Sequence, residues 1–220
     1  VNADFGYVLD TGPPVGTFVN RTAYHDCINY KIIGKPAHAG KHPEDGINAI
    51  KVAADAIAPM RVGRIGPETT NNIGIISGGT AVNVVCPSVE LKCEARSTSL
   101  ADLDELIRHM DECVEAACTK HGAKLEREYE RHYGAYHIEE ADEVVLVAQQ
   151  AARNLGFSGD LRTTLGGSDA NAFNEKGRKS IVVATGMKDI HTHDEHVSIV
   201  DLVDAARLVE EIIGVVSAKN

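Results

Sequence analysis

The feature that most constrains this chain is a change of hydrophobic period in its middle. Val89, Leu91, Cys93 and Ala95 alternate with Glu90, Lys92, Glu94 and Arg96, whereas Leu103, Leu106, Ile107, Met110, Val114 and Ala117 recur at helical spacing. A period of two describes a strand with one buried face, and a period near 3.6 describes a helix with one apolar stripe. Strand and helix therefore share one core. Ser99 with Asp102 three residues on reads as a capping box, acids fill the first turn, Lys120 and His121 the last, and Gly122 stops the helix. Upstream, Ile28–Ile33 reads as a strand ended by Gly34. Ile47, Ile50, Ala54, Ile57 and Met60 then mark a helix, and Ile73–Ile76 a strand; Leu125–Tyr129 closes the series. The order βαββαβ predicts a ferredoxin-like sandwich over residues 21–133.

The flanks have another texture. Phe5, Tyr7 and Leu9 alternate as a strand, ended by Gly12-Pro13-Pro14. Downstream, a helix is expected over Val144–Asn154, followed by a turn-rich segment with Gly166-Gly167-Ser168-Asp169. Ser180–Ala184 is a continuous apolar run, as in a strand of a parallel sheet buried on both faces. A last helix starts at Ser198 with Asp201 three residues on, and Leu202, Ala205, Val209, Ile212 and Val216 form its expected inner stripe. The class is α/β: a partial α/β domain, residues 1–20 and 134–220, into which the ferredoxin-like module is inserted.

Charge narrows the function. With 22 Lys plus Arg against 32 Asp plus Glu, the net charge of −10 argues against a nucleic-acid partner. No run of about 18 apolar residues exists to suggest a membrane span. Five cysteines, an odd number outside any CxxC pair, argue against a disulfide scaffold and favour a reducing, cytoplasmic setting. The chain opens Val1-Asn2-Ala3 without methionine, as expected of a processed chain or of a piece of something longer.

Candidate chemistry sits in three places. Asp10 ends the first strand, and His191 follows the buried run 180–184, both where open α/β sheets bind ligands. A carboxylate and an imidazole at neighbouring strand ends suit Zn²⁺, Co²⁺ or Mn²⁺. The adjoining His193, Asp194, Glu195 and His196 read as a solvated turn. His38 lies in a strand-to-helix loop, Pro36–Gly46, where a histidine could stabilise an oxyanion or cap the next helix. The Gly166–Asn171 turn offers backbone amides at a helix start, an anion site in principle. Ser168 is in no G-x-S-x-G elbow, so a serine nucleophile is not indicated.

Taken together these segments resemble the two-zinc exopeptidase and deacylase family that includes peptidase T, carboxypeptidase G and the aminoacylases. The resemblance is greatest to its peptidase T-like branch. It is carried by Tyr7-Val8-Leu9-Asp10, Gly34-Lys35-Pro36-Ala37-His38-Ala39-Gly40 with Pro43-Glu44-Asp45-Gly46, and Ala81-Val82-Asn83-Val84-Val85. Glu94-Ala95-Arg96-Ser97, Gly166-Gly167-Ser168-Asp169-Ala170-Asn171 and Ile190-His191-Thr192 complete it, in register over nearly the whole chain.

The resemblance implies an α/β metallopeptidase domain carrying a lid. Asp10 would be a ligand to one of two zinc ions and His191 to the other. His38 would stabilise a tetrahedral oxyanion, often across the interface of a homodimer formed through the lid. Asn83 and Arg96 would contact the carbonyl or carboxylate of a small peptide substrate, and Gly166, Gly167, Ser168 and Asp169 would line its pocket. The family's His-x-Asp segment, bridging aspartate and Glu-Glu pair, which includes the general base, are absent from these 220 residues. Leu165 stands where peptidase T carries arginine. The expectation is hydrolysis of di- or tripeptides by a longer parent, with this chain alone inactive. The alternatives are an N-acyl amino acid deacylase, or a non-catalytic lid and dimerisation module.

Overall fold

A computed structural model describes residues 3–218. Val1, Asn2, Lys219 and Asn220, the outermost residues of the flanks, lie outside the described residues. The chain forms two compact units, one of Val1–Ala23 with Tyr133–Asn220 and one of Tyr24–His132.

The second unit follows the period change. Strand β3 (Tyr24–Ile33) pairs antiparallel with β6 (Ser88–Ser97), from Tyr24 opposite Ser97 to Ile33 opposite Ser88. Strand β5 (Thr69–Gly78) flanks β6, and β7 (Lys124–Tyr133) flanks β3. The order β5-β6-β3-β7 is that of a ferredoxin-like sheet, and a short β4 (Gly63–Gly66) extends it beside the first residues of β5. Ile28, Tyr30 and Ile32 of β3, with Val89, Leu91, Cys93 and Ala95 of β6, form one half of the core. Helices α1 (Ala49–Ile57) and α2 (Leu100–His121) supply the other half. Leu103, Leu106 and Met110 of α2 are fully buried, each stabilising the fold by about 1.5–3 kcal/mol.

Helix α2 begins where Ser99 Oγ accepts the Asp102 N–H at 3.3 Å, and ends on Gly122 in the left-handed conformation, φ 70°. An L side chain is strained there, so glycine is the favoured stop. Helix α1 turns inward only part of the face its isoleucines suggest: Ile57 packs against the core, as do the flanking Ile47 and Met60. Ala49, Val52, Ala53 and Ala56 are buried, whereas Ile50 and Ala54 face outward. Asn48 sets this phase by accepting the Ile50 and Lys51 amides, and the small alanines fit where the helix lies against the sheet.

In the first unit, β1 (Gly6–Thr11) and β9 (Ser180–Ala184) run parallel, and β2 (Phe18–Thr22) and β8 (Leu161–Thr164) run parallel. β2 is antiparallel to β9, so the order β1-β9-β2-β8 makes a mixed sheet, where the apolar run 180–184 suggested a parallel one. All five residues of β9 are buried. Helices α3 (Glu143–Asn154), α4 (Asp169–Glu175) and α5 (Ile199–Ser217) complete the unit. The core combines Phe18, Ile181 and Val183 with Val144, Val145, Ala148 and Leu208. Along α5 the buried residues are Ala205, Leu208 and Ile212, and the expected Leu202 is exposed. No described helix is long and apolar enough to cross a membrane.

Candidate functional site

Asp10 is the penultimate residue of β1. The pairing with β9 steps from Leu9 opposite Val183 to Thr11 opposite Ala184, so Asp10 falls on an irregularity in the ladder. Such a bulge re-aims a side chain out of the regular alternation, and Asp10 is exposed. The Thr185 N–H donates to Thr11 O at 2.9 Å and keeps the exit of β9 beside it.

His191 follows in a tightly bonded turn. Asp189 and His191 both have left-handed backbone, φ 52° and 66°, uncommon for residues with a side chain. The His191 N–H donates to Glu195 Oε2 at 2.9 Å, the Thr192 hydroxyl donates to Asp189 O at 2.6 Å, and Lys188 and His196 pair across the base. None of these bonds uses the His191 imidazole. Glu195 thus has a positioning part that the sequence reading placed in a merely solvated turn; all four of His193–His196 are indeed exposed.

The Asp10 carboxyl is held above the usual carboxylate range. Partial burial is the first cause, the charge of Asp169 the second, and His191 pulls the other way. Asp10, Asp169 and His191 therefore share one electrostatic neighbourhood, in which crowded negative charge favours a cation.

The Gly166–Asn171 turn is strongly self-bonded. Gly166 N–H donates to Thr164 Oγ1 at 3.1 Å, Ser168 N–H to Asn171 Oδ1 at 3.0 Å, and Ala170 N–H to Ser168 Oγ at 3.2 Å. Three of the amides that could hold an anion already have acceptors, which weakens that use of the turn. The Asn171 side chain also donates to Thr22 Oγ1 and Gly134 O, tying α4 to β2. At Gly167 an added Cβ would stand 2.3 Å from Tyr133 Cζ. Steric need alone accounts for this glycine.

In the other unit, His38 and Asn83 are neighbours. His38 pairs with Val84 in an isolated bridge, and the Ala39 N–H donates to Asn83 O at 3.0 Å. His38 Nδ1 accepts the Gly40 N–H at 3.2 Å. That bond assigns the neutral tautomer with hydrogen on Nε2, leaving the exposed outer nitrogen a donor. Arg96 is elsewhere. It lies opposite His25 near the start of β3, whereas His38 follows the end of that strand. The eight residue steps from Ser88 to Arg96 span roughly 27 Å of strand. Arg96 bonds Glu94 Oε2 at 2.8 Å. One lid therefore brings His38 and Asn83 together and holds Arg96 apart.

A further set of ligating side chains escaped the sequence reading: His25, Cys27 and His132 meet on the sheet face opposite the helices. His25-x-Cys27 in a strand was the available signal, since alternate residues share a face.

Residues 27–122 match the model of a peptidase dimerisation domain, M20 type. Over 97% of its length the chain is 38% identical to an uncharacterized protein, YqjE, of Bacillus subtilis, of which it covers 57%. The fold matches a tripeptidase from Staphylococcus aureus at TM-score 0.94 and 38% identity, covering 99% of this chain and 58% of that one. It matches an aminopeptidase PepT from Bacillus cereus at TM-score 0.88 and 38% identity with the same coverage. The chain thus spans somewhat over half the length of these proteins. Residues 27–122 thus carry a peptidase dimerisation domain of M20 type, and the chain as a whole has the fold of the corresponding part of these M20 peptidases.

Proposed function

We propose that this chain is the lid and the C-terminal part of the catalytic domain of a two-metal exopeptidase acting on di- or tripeptides. The observation that carries this is the shared neighbourhood of Asp10, Asp169 and His191. A carboxylate and an imidazole are donors that a zinc ion takes, and cobalt or manganese accept the same pair. Two donors fall short of the three or four that one zinc needs. Asp10 and His191 would therefore be terminal ligands, completed by the His-x-Asp and Glu-Glu segments of a longer protein. When bound, the metal pair would polarise the scissile carbonyl and turn water into a nucleophile at neutral pH.

The chain's own residues do the rest. His38 donates from Nε2 to the oxyanion as charge develops on the carbonyl oxygen, and the Asn83 amide donates beside it. The Arg96 guanidinium pairs with the peptide's terminal carboxylate, exchanging its bond to Glu94 for a bidentate one. The segment from Gly166 to Asp169 lines the pocket, with Leu165 making it less cationic than an arginine would. A small peptide cannot reach His38 and Arg96 of a single lid, which supports a homodimer in which each copy supplies one of them. The outer edge of β5 fits such an interface: among the described residues β4 covers only Thr69–Asn71 of it, and beyond that Ile75 and Ile76 are 53% and 56% exposed. A strand edge of this kind adds a second copy readily.

Amino-acid release from unblocked tripeptides by the longer protein tests the proposal. His38→Ala is expected to lower kcat by about 10²–10³, and acyl release from N-acyl amino acids in place of peptide cleavage would select the deacylase reading. The 220-residue chain alone is expected to hydrolyse neither.

A further inference from the structure

Strand β3 turns His25 and Cys27 to the sheet face that carries no helix, and β7 brings His132 against them. Cys27 Sγ lies 3.8 Å from His25 Nε2 and 3.9 Å from His132 Nδ1, and the two rings meet edge to face at 4.8 Å. Around a tetrahedral zinc, sulfur and nitrogen ligands are about 3.6 Å apart, from bond lengths of about 2.3 and 2.05 Å. Both sulfur–nitrogen distances thus stand a few tenths of an ångström wider than a filled site requires, and all three ligand atoms lie within 4.8 Å of one another. Burial suits the purpose as well: His25 is buried and Cys27 half-buried, while His132 is exposed and leaves the fourth side open to water.

A carboxylate stands beside each imidazole, on the metal-facing nitrogen of His25 and on the outer nitrogen of His132. Glu94 Oε2 is 3.0 Å from His25 Nε2, close enough to serve as the fourth ligand, and it also pairs with Arg96. Glu130 Oε2 is 3.6 Å from His132 Nε2, the nitrogen turned away from the thiol. A carboxylate on the outer nitrogen fixes a liganding imidazole and raises its basicity. Arg96 opposes a cation here, but Glu94 and Glu130 outnumber it.

We infer that His25, Cys27 and His132, with Glu94 or water as fourth ligand, form a metal site on the lid for a thiophilic divalent cation of the zinc class. Thiolate and imidazole together exclude magnesium and calcium. The site lies wholly within the unit Tyr24–His132 and shares no residue with the Asp10 and His191 pair, so it stands or falls apart from the proposed hydrolysis.

Cobalt(II) titrated into the reduced 220-residue chain tests this, because only a thiolate ligand gives an intense near-ultraviolet charge-transfer band. One equivalent is expected to produce that band together with the strong visible absorption of four-coordinate cobalt, and zinc is expected to displace it. Cys27→Ser is expected to abolish the band and His132→Ala to weaken binding. The Asp10→Ala, His191→Ala double variant is expected to keep the band, and Glu130→Gln to lower affinity about tenfold. His132 is exposed, so its variant keeps the test open should Cys27→Ser misfold. Absence of the band with one equivalent of cobalt, or its survival in Cys27→Ser, overturns the site.

Discussion

Gly166 and Gly167 are neighbours with opposite tolerances. A Cβ at Gly166 meets nothing nearer than Thr164 Oγ1 at 3.5 Å, whereas at Gly167 it runs into the Tyr133 ring. Gly167→Ala is expected to destabilise the protein by about 1–3 kcal/mol through overpacking, and Gly166→Ala by no more than about 0.5 kcal/mol. Thermal unfolding measures both, and Tyr133→Ala is expected to remove most of the penalty at Gly167. Thiols separate in the same way. Burial pushes the Cys93 thiol up to about 12, while Cys27 is the least buried of the five. Alkylation of the native protein near neutral pH is expected to label Cys27 first and Cys93 only on unfolding. Because the folded pKa of Cys93 is raised, its contribution is complete below the unfolded value of about 8.5 and is lost as pH climbs towards the folded one. At this scale the motifs nominate Asp10, His191 and His38 as candidates. They could not show the left-handed backbone of His191 or the Gly40 bond that sets the His38 tautomer, since neither is encoded in residue type.

Among the elements, α1 and α2 are joined at one end by Asp55. Its carboxylate bonds Lys51 on its own helix, at 2.6 Å, and His121 and Lys120 of α2 at 2.8 and 2.9 Å. Lys51 first, then His121 and Lys120, hold this carboxyl far below the usual range. A lowered folded pKa means that the stabilisation is present above the unfolded value of about 3.9 and is lost as pH falls through the folded one. Asp55→Asn is expected to flatten the acid limb of a stability profile measured by urea unfolding; an unchanged limb would remove Asp55 from the account. At the edge of the sheet, Ile75→Lys is expected to convert a dimer to monomers in sedimentation experiments without loss of secondary structure. The long elements were legible because their pattern is their own: β6 alternates, and α2 carries both its stripe and its caps. Others were not. β4 is four residues, two of them glycine. β2 hides behind a Gly-Pro-Pro turn, and its Asn20 is buried because it bonds Ile138 O at 2.8 Å, a partner 118 residues away. On α1, Ile57 packs against the core as expected but Ile50 does not, because the inner face is built largely from alanines that only the opposing sheet explains.

On the scale of the whole molecule, the chain leaves and re-enters one unit, so that His191 near its end acts on the carboxyl of Asp10 near its start. No local pattern announces that meeting; the order of six weak motifs does. The separation of His38 from Arg96 has a counterpart at this scale. Mixing His38→Ala and Asp10→Ala forms of the longer protein is expected to restore hydrolysis that neither has alone, because one hybrid site would keep Asp10 and borrow His38 from its neighbour. The most direct measurement is tripeptide turnover by that longer protein with Asp10→Ala or with His191→Ala, each checked for native circular dichroism. Near-complete loss of turnover is expected in both, together with loss of bound metal. Wild-type turnover in either folded variant would contradict the ligand roles of Asp10 and His191.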